Sequence, residues 1–143
     1  PYDQHILLVH NVCVKQDDID AAKKVMNNVY WAVCPLSNIF IHNALPPISL
    51  MRANNLAITV GTDSLSSNDD LSIIKELECL HKNFPEVSMN EIFKWASLNG
   101  ARFLSKEKEL GSFAKGKKPG IVMVTDVDAD GCVTASSQSK RII

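Results

Sequence analysis

Three short apolar runs, separated by longer segments with helical periodicity, constrain the fold of this chain most strongly. The runs are Ile-Leu-Leu-Val at 6–9, Tyr-Trp-Ala-Val-Cys at 30–34 and Leu-Ala-Ile-Thr-Val at 56–60. Continuous apolar runs of this length are typical of strands that are buried on both faces. The links between them are too long for hairpins, so the strands are expected to run parallel, joined by right-handed crossovers. The sequence therefore predicts an α/β fold with its functional residues at the carboxyl ends of the strands.

Helix signals fill most of the intervening segments. Ile19, Ala22 and Met26 recur at helical spacing behind acidic residues and predict a helix over about 17–28. Pro46-Pro47 can open a short helix, whereas residues 36–45 are predicted to form a loop. Two later helices are predicted. The first follows N-cap candidates at 66–70 and carries Leu71, Ile74, Leu77 and Leu80. The second follows the capping box Ser88–Glu91, and Asn99-Gly100 is expected to interrupt it.

The chain changes character near residue 110, where helical patterns give way to a glycine-rich segment. A strand-like run at 121–125 and an Asp-Ala-Asp-Gly turn at 128–131 follow. We therefore expect residues 1–110 to form the α/β part and residues 111–143 a small β segment.

Composition excludes several classes of protein. The 143 residues are 45% hydrophobic, with 15 basic and 16 acidic side chains and a net charge of -1. This balance gives no electrostatic reason to expect a nucleic acid or a membrane surface as a partner. No apolar run approaches the ~20 residues of a membrane helix, and no signal-peptide pattern is present. Four widely spaced cysteines suggest reduced thiols, so a cytoplasmic protein is expected. Because Pro1 rather than Met leads almost directly into a strand, we expect a piece of a longer protein.

Polar clusters follow each of the three predicted strands. His10 comes directly after the first, Cys34-Pro35-Leu36-Ser37-Asn38 after the second, and Gly61-Thr62-Asp63-Ser64 after the third. Because the carboxyl ends of parallel strands lie on one rim of the sheet, His10 and Asp63 can converge despite their separation in sequence. An imidazole and a carboxylate on one rim can bind a metal, or can orient and deprotonate a metal-bound water.

Each of these residues also has a plainer interpretation. A histidine that ends a strand usually packs through a hydrogen bond, and an aspartate after a strand often caps a turn. Cys34 beside Pro35 could be a thiol nucleophile, but no activating base is visible nearby. Their occurrence at three successive strand ends is what favours a site. The other histidines are expected elsewhere, with His42 and His81 facing solvent and His5 at the opposite end of its strand.

The motifs together resemble the last third of the amidohydrolase superfamily. The resemblance rests on Ile-Leu-Leu-Val-His10, on Cys34-Pro35-Leu36-Ser37-Asn38, and on Gly-Thr-Asp-Ser followed by Ser67-Asn68. It is closest to the metal-dependent deaminases and chlorohydrolases related to guanine, cytosine and S-adenosylhomocysteine deaminases. It covers nearly the whole chain, and it departs from the family at Pro119-Gly120, where Ala-Asp is frequent.

The resemblance implies a partial (β/α)8 barrel. The three strands would be the sixth, seventh and eighth of the barrel, making the chain its last three β/α units. The segment 111–143 would then be part of a small β-sandwich that is built from both ends of the parent chain. The implied function is hydrolysis of a C–N bond by metal-activated water, most directly the deamination of a nitrogen heterocycle.

The resemblance also assigns roles to individual residues. Asp63 would bind the metal and shuttle the proton of the attacking water, and His10 would orient that water. Cys34, Ser37, Asn38, Ser64 and Ser67 would support these groups or shape the substrate pocket. The metal would be zinc, with iron or manganese as alternatives.

Part of the family's metal site is missing from this sequence. The chain has no His-x-His, and a catalytic zinc normally takes three protein ligands plus water. We therefore expect the isolated chain to be inactive and to bind no metal tightly. Three strands cannot close a barrel, so the expected partners are a small-molecule substrate, the missing N-terminal half of its own chain, and further copies of itself.

Two alternatives stay open at this point. Within the family, the reaction could be the opening of an amide ring rather than deamination. Outside it, the chain could be a non-catalytic α/β domain, complete in itself, that binds a small ligand or a protein. That alternative predicts His10 and Asp63 to be more than about 12 Å apart, too far for a metal plus water to bridge.

Overall fold

Three parallel strands pair in the order in which they occur along the chain. In the computed structural model, which describes residues 4–143, they are β1 (Ile6–Val9), β2 (Val29–Val33) and β3 (Ala57–Val60), and β2 lies in the middle. Leu8 is the register partner of Trp31, which in turn is the partner of Ile58. The predicted parallel sheet is confirmed, with each strand within one residue of the predicted bounds.

Helix α1 (Gln16–Val25) covers the connection from β1 to β2. It buries Ile19 and Ala22 and begins with acidic residues, as predicted. It ends three residues earlier than predicted, because Met26 is extended and Asn28 has a left-handed φ of 54° that turns the chain into β2.

Helix α2 (Pro35–His42) occupies the segment that was predicted to be a loop, and that prediction is wrong. Pro35 fits the first helical position because its fixed φ suits a helix and its missing N–H would have no partner there. Asn43, with a left-handed φ of 49°, ends the helix. The helix buries Ser37 and Asn38 and exposes Phe40 and Ile41. Because its polar side chains are buried and its apolar side chains are exposed, apolar periodicity in the sequence does not predict this helix.

The next two helices correct the predicted boundaries in the middle of the chain. Helix α3 (Ile48–Ala53) follows Pro46-Pro47 as predicted. Helix α4 (Ile73–Asn83) begins after Leu71, which is exposed. The predicted N-cap candidates at 66–70 therefore cap no helix. They form a loop at the rim of the sheet, and Ser67 and Asn68 in this loop are buried.

The predicted interruption at Asn99-Gly100 is also wrong. Helix α5 (Met89–Lys94) is capped by Ser88, whose hydroxyl accepts the Glu91 N–H at 3.3 Å. It continues through a π-helical turn, Trp95–Asn99, into α6 (Gly100–Phe103). The wider turn lets the Asn99 amide donate to the Ile58 carbonyl oxygen at 2.7 Å, which fastens the helix to β3.

The C-terminal segment forms an antiparallel pair, β4 (Val122–Thr125) and β5 (Gln138–Arg141). The predicted turn at 128–131 is present, with the Gly131 N–H donating to the Asp128 carbonyl at 3.0 Å. Val133, in the loop between these strands, is buried in the same apolar cluster as Trp31 and Leu80. The division near residue 110 stays a prediction, and the first three residues of its 1–110 part lie outside the described residues.

Gly111 marks the point where the C-terminal segment leaves the helices. Its φ is +80°, and an added Cβ would lie 2.8 Å from both the Ala101 Cβ and the Leu98 Cα. Only glycine combines that backbone conformation with so close an approach. Across residues 4–143, none of the helices is both long enough and apolar enough to cross a bilayer.

Candidate active site

The ends of the three parallel strands bring the predicted polar residues to one rim. His10 directly follows β1, Ser37 and Asn38 lie in the first turn of α2 behind β2, and Asp63 lies three residues after β3. The His10 Nε2 atom is 3.9 Å from the Asp63 Oδ2 atom. The side chains are 35% and 32% exposed, so a small molecule can reach both. The non-catalytic alternative predicts a separation of more than about 12 Å between these side chains, so the observed distance contradicts it.

Both of these residues have an unusual backbone conformation. The φ angles are 69° for His10 and 60° for Asp63, in the left-handed region that side chains other than glycine seldom adopt. Such conformations cost about 1–3 kcal/mol each and cluster at functional sites. Here they turn the chain sharply at the strand ends, where the two side chains meet.

Two serine hydroxyls hold the Asp63 carboxylate. Ser67 and Ser37 donate to Oδ2 at 2.8 and 2.9 Å. These two bonds, together with the nearby His10, lower the pKa of Asp63 below its ordinary value, so the group is a carboxylate at neutral pH. The two hydroxyl oxygens are also 2.9 Å apart. The Ser37 hydroxyl is thus within hydrogen-bond distance of both the Asp63 carboxylate and the Ser67 hydroxyl, and the three groups form one hydrogen-bonded cluster.

Asn38 positions His10. The Asn38 Nδ2 atom is 3.0 Å from the His10 Nδ1 atom. In this orientation the amide donates to Nδ1, which places the proton of a neutral imidazole on Nε2, facing Asp63. The Asn38 Oδ1 atom is buried and has no hydrogen-bond partner among residues 4–143.

Glu76 connects the elements that carry these residues, and sequence reasoning missed it. Its side chain is fully buried in α4, where it accepts the Leu36 N–H at 2.9 Å and the Asn68 amide at 2.7 Å. Asn68 also donates to the Thr62 carbonyl at 2.9 Å. Glu76 thus fixes the start of α2 relative to the rim loop. The available signal was its place in the apolar stripe of α4, three residues after Ile73 and four before Leu80.

Cys34 and Ser64 both lie next to Asp63: the Asp63 backbone N–H faces the Cys34 thiol, and the Ser64 backbone N–H donates to the Asp63 carboxylate. Cys34 is buried, and burial together with the nearby Asp63 and Glu76 raises the pKa of its thiol to about 11. It is therefore a neutral thiol and a poor nucleophile. Ser64 is exposed, and its hydroxyl pairs with that of Ser66 at 2.6 Å rather than with Asp63.

Of the other histidines, two lie where they were predicted. His42 is exposed, and His5, at the opposite end of β1, packs against Tyr30 and Phe103. The prediction that His81 faces solvent is wrong, because the residue is half-buried and its Nδ1 atom is fully buried.

The profile of the Amidohydrolase family matches residues 2–138, which is nearly the whole chain. The chain belongs to the amidohydrolase family. The resemblance that was drawn from the strand-end motifs is therefore confirmed.

Several curated proteins with similar sequences are named deaminases, and another is an S-triazine hydrolase of Gordonia rubripertincta. The 5'-deoxyadenosine deaminase of Methanobrevibacter smithii is 30% identical over 145 residues, which are 96% of this chain and 33% of that protein. The 5-methylthioadenosine/S-adenosylhomocysteine deaminase of Moorella thermoacetica is 32% identical over 129 residues, which are 85% of this chain and 30% of that protein. The chain thus spans about a third of the length of the curated relatives that it matches.

Solved structures of amidohydrolases share the fold. Aminofutalosine deaminase of Helicobacter pylori, in complex with methylthio-coformycin, superposes with a TM-score of 0.73 at 28% identity, over 82% of this chain and 29% of that one. An adenosine deaminase from Xanthomonas campestris with bound zinc superposes with a TM-score of 0.71 at 25% identity, over 82% of this chain and 28% of that one. The chain therefore shares the fold of somewhat less than a third of each of these two deaminase structures.

Proposed function

We propose that this amidohydrolase chain supplies Asp63 and His10 to the active site of a metal-dependent deaminase that hydrolyses a C–N bond of a nitrogen heterocycle. The observation that carries the proposal is the 3.9 Å approach of His10 to Asp63 at the carboxyl ends of parallel strands. In barrels of parallel strands, catalytic groups stand at these strand ends.

In this proposal β1, β2 and β3 are the last three strands of a (β/α)8 barrel. Their parallel order supports this assignment, since neighbours along the chain are also neighbours in the sheet. Residues 111–143 would contribute β4 and β5 to a β-sandwich built from both ends of the parent chain. The remaining strands and metal ligands would come from the N-terminal half of the same polypeptide.

The donor set fits one ligand position of a divalent cation. Asp63 is ionised, and the hydroxyls of Ser37 and Ser67 both bind Oδ2, so neither occupies Oδ1. The chemistry that a bound divalent cation supplies in such a site is acidification of water to a pKa of about 7. Zinc suits one carboxylate together with imidazoles from elsewhere, and iron and manganese remain alternatives.

The residues of this chain would move and position the protons. Asp63, as a carboxylate, takes a proton from the attacking water and later delivers it to the leaving ammonia. Nε2 of His10 orients that water, and Asn38 fixes the ring through Nδ1 at 3.0 Å. Ser37 and Ser67 keep Asp63 charged and in place. Asp63 is therefore the proton carrier, and the serines and Asn38 are positioning residues.

The proposed substrates are adenosines modified at the 5' position. Two deaminases similar in sequence to this chain carry the names of 5'-deoxyadenosine, and of 5-methylthioadenosine and S-adenosylhomocysteine. Hydrolysis at the purine C–N bond would replace the exocyclic amine with a carbonyl and release ammonia.

The test uses the longest polypeptide that the gene encodes, loaded with zinc and supplied with each of these three nucleosides. Ammonia release is expected, and Asp63→Asn should lower kcat/KM by about 10²–10⁴-fold, because the proton carrier is lost. Asp69→Asn is the matched control, since Asp69 is exposed in the same rim loop, and it should retain activity. Equal activity in Asp63→Asn and Asp69→Asn would overturn the proposal.

A further inference from the structure

A second cluster of ligating side chains lies where α4 meets the C-terminal β segment. His81 belongs to the last turn of α4, and Asp128 and Cys132 belong to the loop between β4 and β5. One ligand atom of each residue lies within 4.8 Å of those of the other two. Within residues 4–143, no other group of three or more histidine, cysteine and acidic side chains is gathered in this way.

His81 supplies the observation that points to a ligand. Its Nδ1 atom is buried and has no hydrogen-bond partner among the described residues. A buried polar atom left without a partner is destabilising. A neutral imidazole nitrogen is also the most frequent protein ligand for transition metals, and an ion bound through Nδ1 would give that atom its missing partner.

The loop of Asp128 holds its two ligands in a fixed arrangement. Oδ1 of Asp128 accepts the N–H groups of Asp130 at 3.0 Å and Cys132 at 2.8 Å, and the Asp128 N–H donates to the Cys132 carbonyl at 3.0 Å. These bonds use Oδ1 and keep the Asp128 carboxylate beside the Cys132 thiol. Oδ2 is not engaged by them.

Cys132 completes a mixed donor set. Its thiol pKa is raised by partial burial and by the nearby Asp128 and Asp130, so the free group is protonated at neutral pH. A cation reverses this effect, because a coordinating thiol gives up its proton to solvent. A set of one sulfur, one nitrogen and one oxygen ligand favours zinc over calcium or magnesium, which take oxygen ligands only.

We propose that His81, Asp128 and Cys132 bind a zinc ion that fastens the C-terminal β segment to α4. Bond lengths of about 2.0–2.3 Å place the ligand atoms of a tetrahedral ion about 3.3–3.8 Å apart, so the loop closes by at most about 1.5 Å, with water in the fourth position. The site is built from residues other than those of the rim. It revises the expectation that the isolated chain binds no tight metal, because that expectation considered only Asp63.

The test titrates the 143-residue chain with cobalt(II) and follows the absorption spectrum. A thiolate-to-cobalt charge-transfer band in the near ultraviolet is expected, saturating at one ion per chain and lost when zinc is added. Cys132→Ser should abolish the band. His81→Gln should weaken binding by at least about tenfold, which corresponds to about 1.4 kcal/mol.

Three control variants test whether the charge-transfer band comes from this cluster. Cys13→Ser removes an exposed thiol elsewhere, and Asp130→Asn removes a carboxylate of the same loop that lies outside the cluster. Asp63→Asn removes the rim carboxylate, which separates this site from the proposed active site. All three should keep the charge-transfer band.

A second measurement does not depend on the folding of any variant. In the unmodified chain, zinc should protect Cys132 but not Cys13 from alkylation, as read by mass spectrometry. The proposal is overturned if cobalt gives no charge-transfer band, if the band survives in Cys132→Ser, or if zinc leaves the alkylation of Cys132 unchanged.

Discussion

Asp63 shows how single hydroxyl groups set the charge of a site. Ser37 and Ser67 reach it from two different segments, the first turn of α2 and the rim loop. Each hydrogen bond favours the carboxylate over the acid. The folded-state pKa of Asp63 is therefore lowered, and the bonds contribute stability that is present above the ordinary pKa of aspartate. That contribution is lost as the pH falls through the lowered value.

The double variant Ser37→Ala/Ser67→Ala should raise the pKa of Asp63 toward its ordinary value of about 3.9. At pH 7 the free energy of unfolding should fall by about 1–3 kcal/mol, since two bonds to a charged group are lost. Under acidic conditions, where Asp63 is protonated in both proteins, the difference should shrink. Carboxyl NMR titration and urea unfolding at both pH values measure this.

Ser64→Ala is the matched control, because its hydroxyl pairs with Ser66 and not with Asp63. It should leave the titration of Asp63 unchanged. An unaltered Asp63 pKa in the double variant would show that the two hydroxyls do not hold the carboxylate.

At the scale of elements, Glu76 in α4 joins α2 to the rim loop. Burial is the main cause of its raised pKa, and the bonds from Leu36 and Asn68 oppose it. Between the ordinary pKa of glutamate and the raised value, the folded protein holds a proton that the unfolded chain releases. The stability that this group contributes therefore falls as the pH rises through that window.

Glu76→Leu should lower the free energy of unfolding by about 2–4 kcal/mol, because the Leu36 N–H and the Asn68 amide both lose their acceptor. Glu76→Gln should cost less, since one acceptor oxygen remains, and it should remove the pH dependence described above. Urea unfolding as a function of pH checks both. Glu78→Gln, two residues further along the same helix, should behave like the wild type. A Glu76→Leu variant as stable as Glu78→Gln would contradict this role.

Sequence patterns predicted the elements in which apolar side chains are buried and polar side chains are exposed. The strands β1 and β2 are continuous apolar runs, β3 is apolar apart from Thr59, and the periodicity of α1 matches its buried face. The helix α2 could not be predicted in this way, because it buries Ser37 and Asn38 for the site and exposes Phe40 and Ile41. The π turn at Trp95–Asn99 was missed for a similar reason, since its register is set by the tertiary bond from Asn99 to Ile58.

At the candidate site, too, sequence patterns did not predict the contacts that depend on tertiary structure. Parallel strand ends were enough to predict that His10 and Asp63 approach each other, since the sheet topology alone places them on one rim. The role of Glu76 depends on a buried carboxyl group with two specific donors, which no local pattern encodes. The gathering of His81 with Cys132 depends on where a loop about 50 residues away packs, which only the tertiary structure shows.

At the scale of the whole molecule, an apolar groove beside β1 is open to solvent. It is lined by Leu8, Val14, Met26 and Trp31, and Val25 on its border is 78% exposed. β1 is also an end strand of the sheet, with one edge unpaired in it. We predict that isolated chains associate through this groove, and that in a complete protein the upstream half covers it.

Val25→Lys should weaken this self-association, because a charge on the border of the groove has to be desolvated when the surfaces meet. Light scattering over a range of concentrations should show a larger monomer fraction than for the unmodified chain. Ile143→Lys places the same charge on an exposed residue outside the groove and should leave association unchanged. A chain that stays monomeric at high concentration without any substitution would refute this prediction.

The measurement that tests the central claim most directly is a crystal structure of the longest encoded polypeptide with zinc, with the ion located by its anomalous scattering. We predict an ion at the rim within about 2.0–2.2 Å of an Asp63 carboxylate oxygen, with His10 facing the same coordination sphere. An occupied catalytic ion to which Asp63 is not a ligand, with His10 turned away from it, would contradict the account.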